Sequence, residues 1–594
     1  MRITEKLKQN ENKIWALSFS LLLCILLSIR FDFYYDLNDD VLMKDILAGA
    51  YTGQPESRNI QMLFPISWFL SGLYRLVRTL PWYGIFICGC QFFCIYLLTE
   101  RLLGFFSKKW SKAAAVSLEA LVLLALILWE LIFVQYTVTC TLLAATAAFL
   151  FLTTDSSGTA GAFLRRNLPS VFLVALSYLI RSEMLLLVLP LICVTGLCRW
   201  MADKPFWTKE NAKKYFLVFG VLLSGIILGQ SVHMLGYSSP KWREFTVYFD
   251  NRTELYDFQF VPAYEGNEAF YESVGMSKSG QTLLANYNFG MDEEINAELL
   301  GKVADYAGEI KKEMLSSRDR FKQAVSNYRY RTFHETDYPW NLFVLGMYAI
   351  VLVSALWNRH FRYILELFLL GMVRTGLWMF ILYRGRSPER ITHSLYLMEF
   401  VILLGMLLWE SKKENRLPLP VKAGIMAFLA VLGLLGIGGS FQKTWTEYLR
   451  REQVNTELQA LQSYTRQYLE NFYFVDVYST VAYSEKMFAD VDNSLSNYDI
   501  MGGWASKSPL NEKKFRAFHI DTMEEAILTM ENVYVIVKEP EPNLPLLEDW
   551  MRDYYGERGI SVTLQKVDVI RTAEKEVFYV YTVRDEAGAS VESD

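Results

Sequence analysis

Residues 14–43 read IWALSFSLLLCILLSIRFDFYYDLNDDVLM, an apolar run that ends in a stretch rich in aspartate. Crossing the hydrocarbon core of a bilayer takes about 20 largely apolar residues, and residues 14–30 have this character. No small-residue cleavage site follows them, because Arg30, Phe31 and Asp32 come next. The run therefore predicts a retained transmembrane helix rather than a signal peptide, and it places the aspartates directly at the membrane surface.

The rest of the chain is also unusually apolar. Of its 594 residues, 52% are hydrophobic and 21% are charged, whereas soluble domains average about 45–50% and about 25%. This composition predicts an α-helical polytopic membrane protein with about eleven transmembrane helices within residues 1–440. The candidate spans are residues 14–30, 82–99, 114–133, 137–153, 168–181, 185–198, 215–235, 340–357, 363–382, 395–409 and 420–438.

Lysine and arginine collect in alternate loops between these spans. The basic loops lie at residues 6–13, 101–112, 165–166, 199–214, 359–362 and 412–416. Because cytoplasmic loops carry the excess of basic residues, this pattern predicts a cytoplasmic N-terminus and an extracytoplasmic C-terminus. A first outer loop (residues 31–81), a large outer loop (residues 236–338) and residues 441–594 then face the exterior.

Residues 441–594 are long enough to form a domain of their own. Strand-like and helical patterns alternate in them, which predicts an extracytoplasmic α/β domain. Acidic residues outnumber basic ones there by 27 to 16, and by 17 to 12 in residues 236–338. No long basic block appears, which argues against nucleic acid as a partner. The tight loop Gly502-Gly503-Trp504 is a candidate binding lip.

Two carboxylates of the first outer loop are candidates for chemistry. On a helix, Asp39 and Asp40 would project about 100° apart, so one could face a cavity while the other caps the helix or binds a metal. The alternative is structural: Asn38 would cap a helix, and acids in its first turn favour the helix dipole. Residues 60–80 are partly apolar and predict interfacial helices above such a site.

A second cluster lies in residues 383–390, which read YRGRSPER. Arg384, Arg386 and Arg390, with His393 just beyond, fall on the predicted outer side, where basic residues are disfavoured. A specific anionic partner explains them, because guanidinium groups bind phosphate in a bidentate way. Snorkelling or pairing with lipid headgroups is the alternative.

Arg181 and Glu183 separate two short apolar runs, and Glu130 lies near the outer end of the third span. Ionisable groups at membrane depth usually pair with one another or line a cavity. Arg181 and Glu183 are therefore either interface residues or a second wall of the same site. In the large outer loop, aromatic and charged residues mix as on a sugar-binding surface or in an ordinary loop core: Trp242, Arg243, Tyr248, Asp250, Tyr256 and Asp257.

The motif Asn38-Asp39-Asp40 follows the first span, and an interfacial segment, many further spans and an outer C-terminal domain come after it. With these features the chain resembles the GT-C superfamily of polyprenyl-phosphate-sugar-dependent glycosyltransferases, especially its bacterial members of undefined substrate. The resemblance covers about residues 10–438. It implies that Asp39 or Asp40 is the general base of an inverting transfer. The arginines of residues 383–390 would stabilise the phosphate leaving group.

The same resemblance implies a cell-membrane enzyme of envelope polysaccharide biosynthesis, with a glycan, lipid or protein as acceptor. Some relatives use a divalent metal cation and others do not, which leaves the metal open here; if one is used, Asp39 or Asp40 would bind it. The Asp-Asp pair replaces the Asp-Glu pair of many relatives, so either carboxylate could be the base. Two other functions stay open: a transporter or flippase of lipid-linked glycans, and a non-enzymatic envelope sensor or scaffold. No paired, broken-helix repeat typical of transporters is visible in the sequence.

Overall fold

The computed structural model describes residues 10–203, 207–414, 419–489, 492–538 and 546–586. Its first half is helical apart from two short strands, β1 (Tyr34–Tyr35) and β2 (Phe133–Val134). The helices there are α1 (Glu11–Arg30), α2 (Asn38–Ala48), α3 (Phe64–Leu76), α4 (Trp82–Leu103), α5 (Lys109–Leu126), α6 (Leu128–Ile132), α7 (Tyr136–Thr153), α8 (Ala160–Ile180), α9 (Ser182–Met201) and α10 (Lys209–Gly236).

Five helices follow in the large outer loop, and four long ones complete the bundle. The loop contains α11 (Pro240–Thr253), α12 (Glu268–Ser273), α13 (Lys278–Ala285), α14 (Ala297–Met314) and α15 (Ser317–Phe333), with a π-helical turn at Glu254–Phe258. The long helices are α16 (Trp340–Trp357), α17 (Phe361–Arg384), α18 (Glu389–Glu414) and α19 (Leu419–Gln467).

Ten of the described helices are long and apolar enough to cross a membrane, which supports the multi-pass prediction. Each matches one predicted span, and the span predicted at residues 114–133 corresponds to α5 and α6. Helix α5 is not among the ten, and its 18 residues include three charged side chains, Lys109, Lys112 and Glu119. It nevertheless runs the length of the bundle, since Lys112 pairs with Glu11 at the start of α1 and its far end lies beside α19.

Helix α7 is the centre of the bundle, with almost every side chain buried. It packs against α8, α9, α4 and α18. By contrast, α1 and α10 expose most of their apolar side chains, as expected for helices whose neighbours are lipid. Helix α3 is amphipathic and exposes Trp68, Phe69 and Leu76, which agrees with the interfacial helix predicted at residues 60–80.

The outer segments meet on one face of the bundle, here called the domain face. Arg451 of α19 pairs with Asp36 of the first outer loop at 2.8 Å. The amide of Asn288, in the large outer loop, donates to Asp476 of the C-terminal domain at 2.7 Å. Helix α19 itself passes through residue 440 without a break, so one continuous helix joins the membrane bundle to the C-terminal domain.

The C-terminal domain is α/β, as predicted. Its strands are β3 (Phe472–Val475), β4 (Tyr498–Ile500), β5 (Val533–Lys538), β6 (Val562–Arg571) and β7 (Glu576–Asp585), and its helices are α20 (Pro509–Ala517), α21 (Met523–Thr529) and α22 (Leu547–Glu557). The sheet order is β4-β3-β5-β7-β6. Strands β3, β4 and β5 are parallel, whereas β7 is antiparallel to β5 and β6. The short strand β4 was not predicted.

The first outer loop is held between the bundle and the C-terminal domain. Strand β1 pairs in parallel with β2, at the entrance of α7, and Tyr34 forms an antiparallel bridge with Lys486 on the other side. Arg451 donates to the backbone carbonyls of Tyr35 and Asp36. Because both flanks of this segment are fixed, the position of the α2 N-terminus, with Asp39 and Asp40, is fixed as well.

Candidate functional site

Helix α2 places the two aspartates in different surroundings. It begins at Asn38, and Leu37 is the N-cap residue without a side-chain cap bond, so the prediction that Asn38 caps the helix is wrong by one position. Asp39 and Asp40 occupy the first turn, where carboxylates favour the helix dipole. Asp40 is 1% exposed, whereas Asp39 is half-buried.

Asp40 is packed into the bundle. The hydroxyl of Tyr83 donates to its Oδ1 at 2.6 Å, and its Oδ2 is buried without a hydrogen-bond partner among the described residues. Burial raises the pKa of Asp40 well above the usual value for aspartate, although the Tyr83 hydrogen bond opposes the shift. This environment suits a structural carboxyl group that an acceptor hydroxyl does not reach.

Asp39 lies on the wall of a cavity of about 250 Å³ between α2 and the C-terminal domain. We call this space the domain cavity. Within the described parts of the chain, the Asp39 carboxylate has no ion-pair or hydrogen-bond partner. A half-buried carboxylate without a partner is free to accept a proton, which is the requirement for a general base.

The arginine loop is shorter than predicted, because α17 continues to Arg384 and α18 begins at Glu389. Gly385 ends α17 in the left-handed conformation (φ 79°), as glycine commonly does at a helix C-terminus. Arg386 pairs with Asp257 of the large outer loop. Arg384 is more exposed, lies 3.7 Å from Glu254 and stacks on the ring of Phe258, so its contacts are with the π-helical turn.

Arg390 lies on the wall of a smaller cavity of about 160 Å³, beside His393. Its guanidinium is half-buried and has no ion-pair or hydrogen-bond partner in the described ranges. His393 Nδ1 is 2.7 Å from Glu130 Oε1. A partnerless guanidinium in a cavity at the end of transmembrane helices is a ready site for a phosphate group.

Arg181 is the single residue between α8 and α9. Its Nη1 donates to Gln61 Oε1 at 2.5 Å and to the Tyr136 hydroxyl at 2.8 Å. Its Nε lies 3.2 Å from Glu183, whose side chain is 71% exposed. Arg181 therefore faces the first outer loop, whereas Glu183 lies on its solvent side.

Electrostatics links these groups into one site. Burial, followed by the neighbouring cations Arg390 and Arg181, lowers the pKa of Arg386 to about 10, with Asp39 opposing the shift. The charges of Asp39 and Arg390 both lie close enough to act on the Tyr136 hydroxyl. Three guanidinium groups thus lie near Asp39. Glu183 and Asp257 balance the charges of Arg181 and Arg386, which leaves Arg390 as the cation without an ion-pair partner among the described residues. Its field favours binding of an anion.

The structure therefore brings Asp39, Arg181, Arg386 and Arg390 together, and His393 lines the same cavity as Arg390. Glu183 contacts this group through Arg181, whereas Arg384 and Asp40 make their contacts elsewhere. Tyr136 and Gln61 were not predicted as members of the site. Neither belongs to a motif, and only their contacts with Arg181 identify them.

The described residues contain no group of three or more His, Cys, Asp or Glu side chains that could hold a metal ion. Asp40, one of the two predicted ligands, accepts a hydrogen bond from Tyr83 instead. Asp39 supplies one carboxylate, and Mg²⁺ is usually held by one or two carboxylates together with waters and substrate phosphates. A divalent cation at Asp39 stays a prediction.

Comparisons with known proteins give little sequence information. No family model matches the chain, and no curated protein matches it. Among solved structures, the chain is similar to the crystal structure of ArnT from Cupriavidus metallidurans bound to undecaprenyl phosphate. The alignment covers 95% of this chain and 98% of that chain, with 12% identity and a TM-score of 0.40. Because both values are low, the proposals below rest on the geometry of the site.

Proposed function

We propose that this chain is a membrane glycosyltransferase that moves a sugar from a polyprenyl-phosphate-linked donor to an acceptor hydroxyl. The observation that carries the proposal is the partnerless carboxylate of Asp39 beside the crowded guanidiniums of Arg181, Arg386 and Arg390. This group lies where the transmembrane helices end. A donor with a lipid tail and a phosphate needs both a bilayer and a cationic site at its surface.

In this mechanism Asp39 is the general base. It takes the proton of the acceptor hydroxyl while the hydroxyl oxygen attacks the anomeric carbon of the donor sugar. The bond between that carbon and the phosphate oxygen breaks, and its electron pair leaves with the phosphate. Because attack and departure occur on opposite faces of the carbon, the configuration inverts. The second aspartate, Asp40, holds the helix turn in place through Tyr83.

The arginines stabilise the leaving group. Negative charge grows on the phosphate as the bond breaks, and preorganised donors aimed at it lower the barrier. Arg390 is the main candidate to contact the phosphate because it has no protein partner among the described residues. Arg181 and Arg386 are held by Tyr136 and Asp257 and supply fixed positive charge. The excess of basic residues in alternate loops supports an extracytoplasmic position for this site.

The experiment is a transfer assay in membranes that contain the full chain, supplied with a panel of labelled polyprenyl-phosphate sugars. We expect release of polyprenyl phosphate and a new glycosidic product, both lost in Asp39→Asn. The control is Asp319→Asn, which alters an exposed aspartate of α15 and should keep wild-type transfer. Movement of the lipid-linked sugar between leaflets without a new product would instead indicate a transporter. If neither the wild type nor Asp39→Asn transferred sugar, and cells with Asp39→Asn kept the wild-type envelope, a sensor or scaffold would be indicated instead.

A further inference from the structure

The domain cavity has the lining of a sugar site. Tyrosine and tryptophan rings reach it from three separate parts of the chain: Tyr51, Tyr287, Tyr483, Tyr498 and Trp504. Aromatic side chains offer a flat apolar face together with a polar edge, which matches a sugar ring with one apolar face and a rim of hydroxyls. The volume, about 250 Å³, lies near the lower end of the range for ligand pockets, about 300–1,000 Å³.

Polar groups stand between these rings. Arg252 of α11 lies over the rings of Tyr256 and Phe289. Its guanidinium has no carboxylate or hydrogen-bond partner in the parts of the chain that the structure describes, and its Nε is buried. The hydroxyls of Tyr483 and Tyr498 lie 2.9 Å apart and can donate or accept. Arg252 as a whole is half-buried, but a buried N–H donor such as its Nε is costly without a partner unless a ligand accepts a hydrogen bond from it.

At the lip of the cavity, residues 502–504, the backbone packs closely against the large outer loop. Gly503 has φ 95°, and a Cβ on Gly502 would overlap the carbonyl oxygen of Tyr287. Tyr287 itself has φ 63°, a left-handed conformation that costs a non-glycine residue about 1–3 kcal/mol and is found mostly at functional sites. This close approach between the large outer loop and the C-terminal domain holds Trp504 on the cavity wall, and the predicted role of this loop as a binding lip stays a prediction.

From these contacts we infer that the domain cavity binds the acceptor and that the acceptor is a carbohydrate. The inference rests on the proposed function, because Asp39 forms part of the same wall and would meet a sugar hydroxyl held there. An acceptor bound through a lipid chain would need a long apolar groove, whereas this cavity is small, and aspartate, arginine and lysine interrupt its apolar wall.

The test is direct binding by saturation-transfer NMR, with the full chain in lipid nanodiscs. The probes are the methyl glycosides of glucose, galactose, N-acetylglucosamine and glucuronate. The cavity variants are Arg252→Met and Trp504→Ala, and the matched control is Trp110→Ala, which alters a tryptophan that is 88% exposed at the start of α5. We expect at least one glycoside to bind the wild type and Trp110→Ala. Its affinity should fall about tenfold or more in Arg252→Met, the loss of one charged hydrogen bond.

Two results of the binding experiment would overturn the inference: no glycoside of the panel binds the wild type, or the affinity is the same in Arg252→Met and the wild type. Trp504 is buried, so binding by Trp504→Ala is interpreted only if this variant unfolds at the same temperature as the wild type. If it does not, Arg252→Met alone tests the inference. Binding that depends on Arg252 without any sugar transfer would contradict the proposed function and leave the cavity a carbohydrate site. Wild-type transfer by Arg252→Met would contradict the inference and leave the proposed function standing.

Discussion

Replacing Asp39 and Asp40 separately by asparagine distinguishes a base from a structural carboxyl group. Each substitution keeps the size of the side chain and removes the ability to take a proton at neutral pH. The two positions differ in surroundings: Asp39 is half-buried and partnerless among the described residues, whereas Asp40 is 1% exposed and hydrogen-bonded to Tyr83. Each variant is therefore the matched control for the other.

For Asp39→Asn the expected loss lies in the chemical step. General base catalysis typically contributes about 10²–10⁴-fold, so kcat for sugar transfer should fall by about that factor. Stability should change little, because no described contact is lost. Affinity for the anionic donor should stay the same or rise, since removing a negative charge beside Arg386 and Arg390 strengthens the positive field.

For Asp40→Asn the expected loss lies in stability. The amide oxygen still accepts from Tyr83, but an amide group with two N–H donors replaces the buried Oδ2, which carries at most one proton and has no hydrogen-bond partner among the described residues. A buried unsatisfied donor costs about 1–3 kcal/mol. Because burial raises the pKa of Asp40, its stabilising contribution is present at low pH and lost as pH rises through the raised pKa. The wild type should thus lose stability relative to Asp40→Asn as pH increases.

The assay combines donor turnover in nanodiscs, followed by release of polyprenyl phosphate, with thermal unfolding at several pH values. The refuting result is the reverse pattern. If Asp40→Asn eliminated turnover at normal stability while Asp39→Asn kept more than about a tenth of it, well above the loss expected of a general base, the assignment of the base would be wrong.

Three further predictions concern the neighbours of this pair. Arg390→Ala should weaken polyprenyl-phosphate binding by about 10–150-fold, the equivalent of about 1.5–3 kcal/mol for a hydrogen bond to a charged group. In the same lipid-binding assay, the affinity of Arg384→Ala should stay within about twofold of the wild type, because surface ion pairs contribute little. Arg451→Met removes a buried guanidinium and leaves the Asp36 carboxylate, which is 16% exposed, without its ion pair. It should lower the free energy of unfolding by about 3–5 kcal/mol; an unchanged melting temperature would contradict this. Gly502→Ala forces the lip away from the large outer loop and should cost at least about 1–3 kcal/mol, measured by thermal unfolding.

Hydropathy was sufficient to predict most of the fold. Apolar runs of the right length located the ten helices that meet the membrane criteria, and period-two patterns located four of the five strands of the C-terminal sheet. The residue pattern failed where local signals are weak. Strand β4 has only three residues, and the break at Ile127 between α5 and α6 carries no glycine or proline.

The charged residues of the site could be predicted from the sequence, but their pairing and relative positions could not. Charges in unfavourable positions, such as Arg181 and the arginines of residues 383–390, are visible in the sequence because burying them is costly. Which arginine lacks a partner depends on contacts between distant segments, such as Arg386 with Asp257. The separate environments of Asp39 and Asp40 likewise depend on Tyr83, 43 positions further along the chain.

The most direct test of the central claim is a cryo-EM structure of the chain in nanodiscs with a bound polyprenyl phosphate. We predict phosphate oxygens about 2.7–2.9 Å from the Arg390 guanidinium, with the Asp39 carboxylate between that phosphate and the domain cavity. Phosphate density on the opposite face of the bundle, or on the domain face but away from Arg181, Arg386 and Arg390, would contradict it.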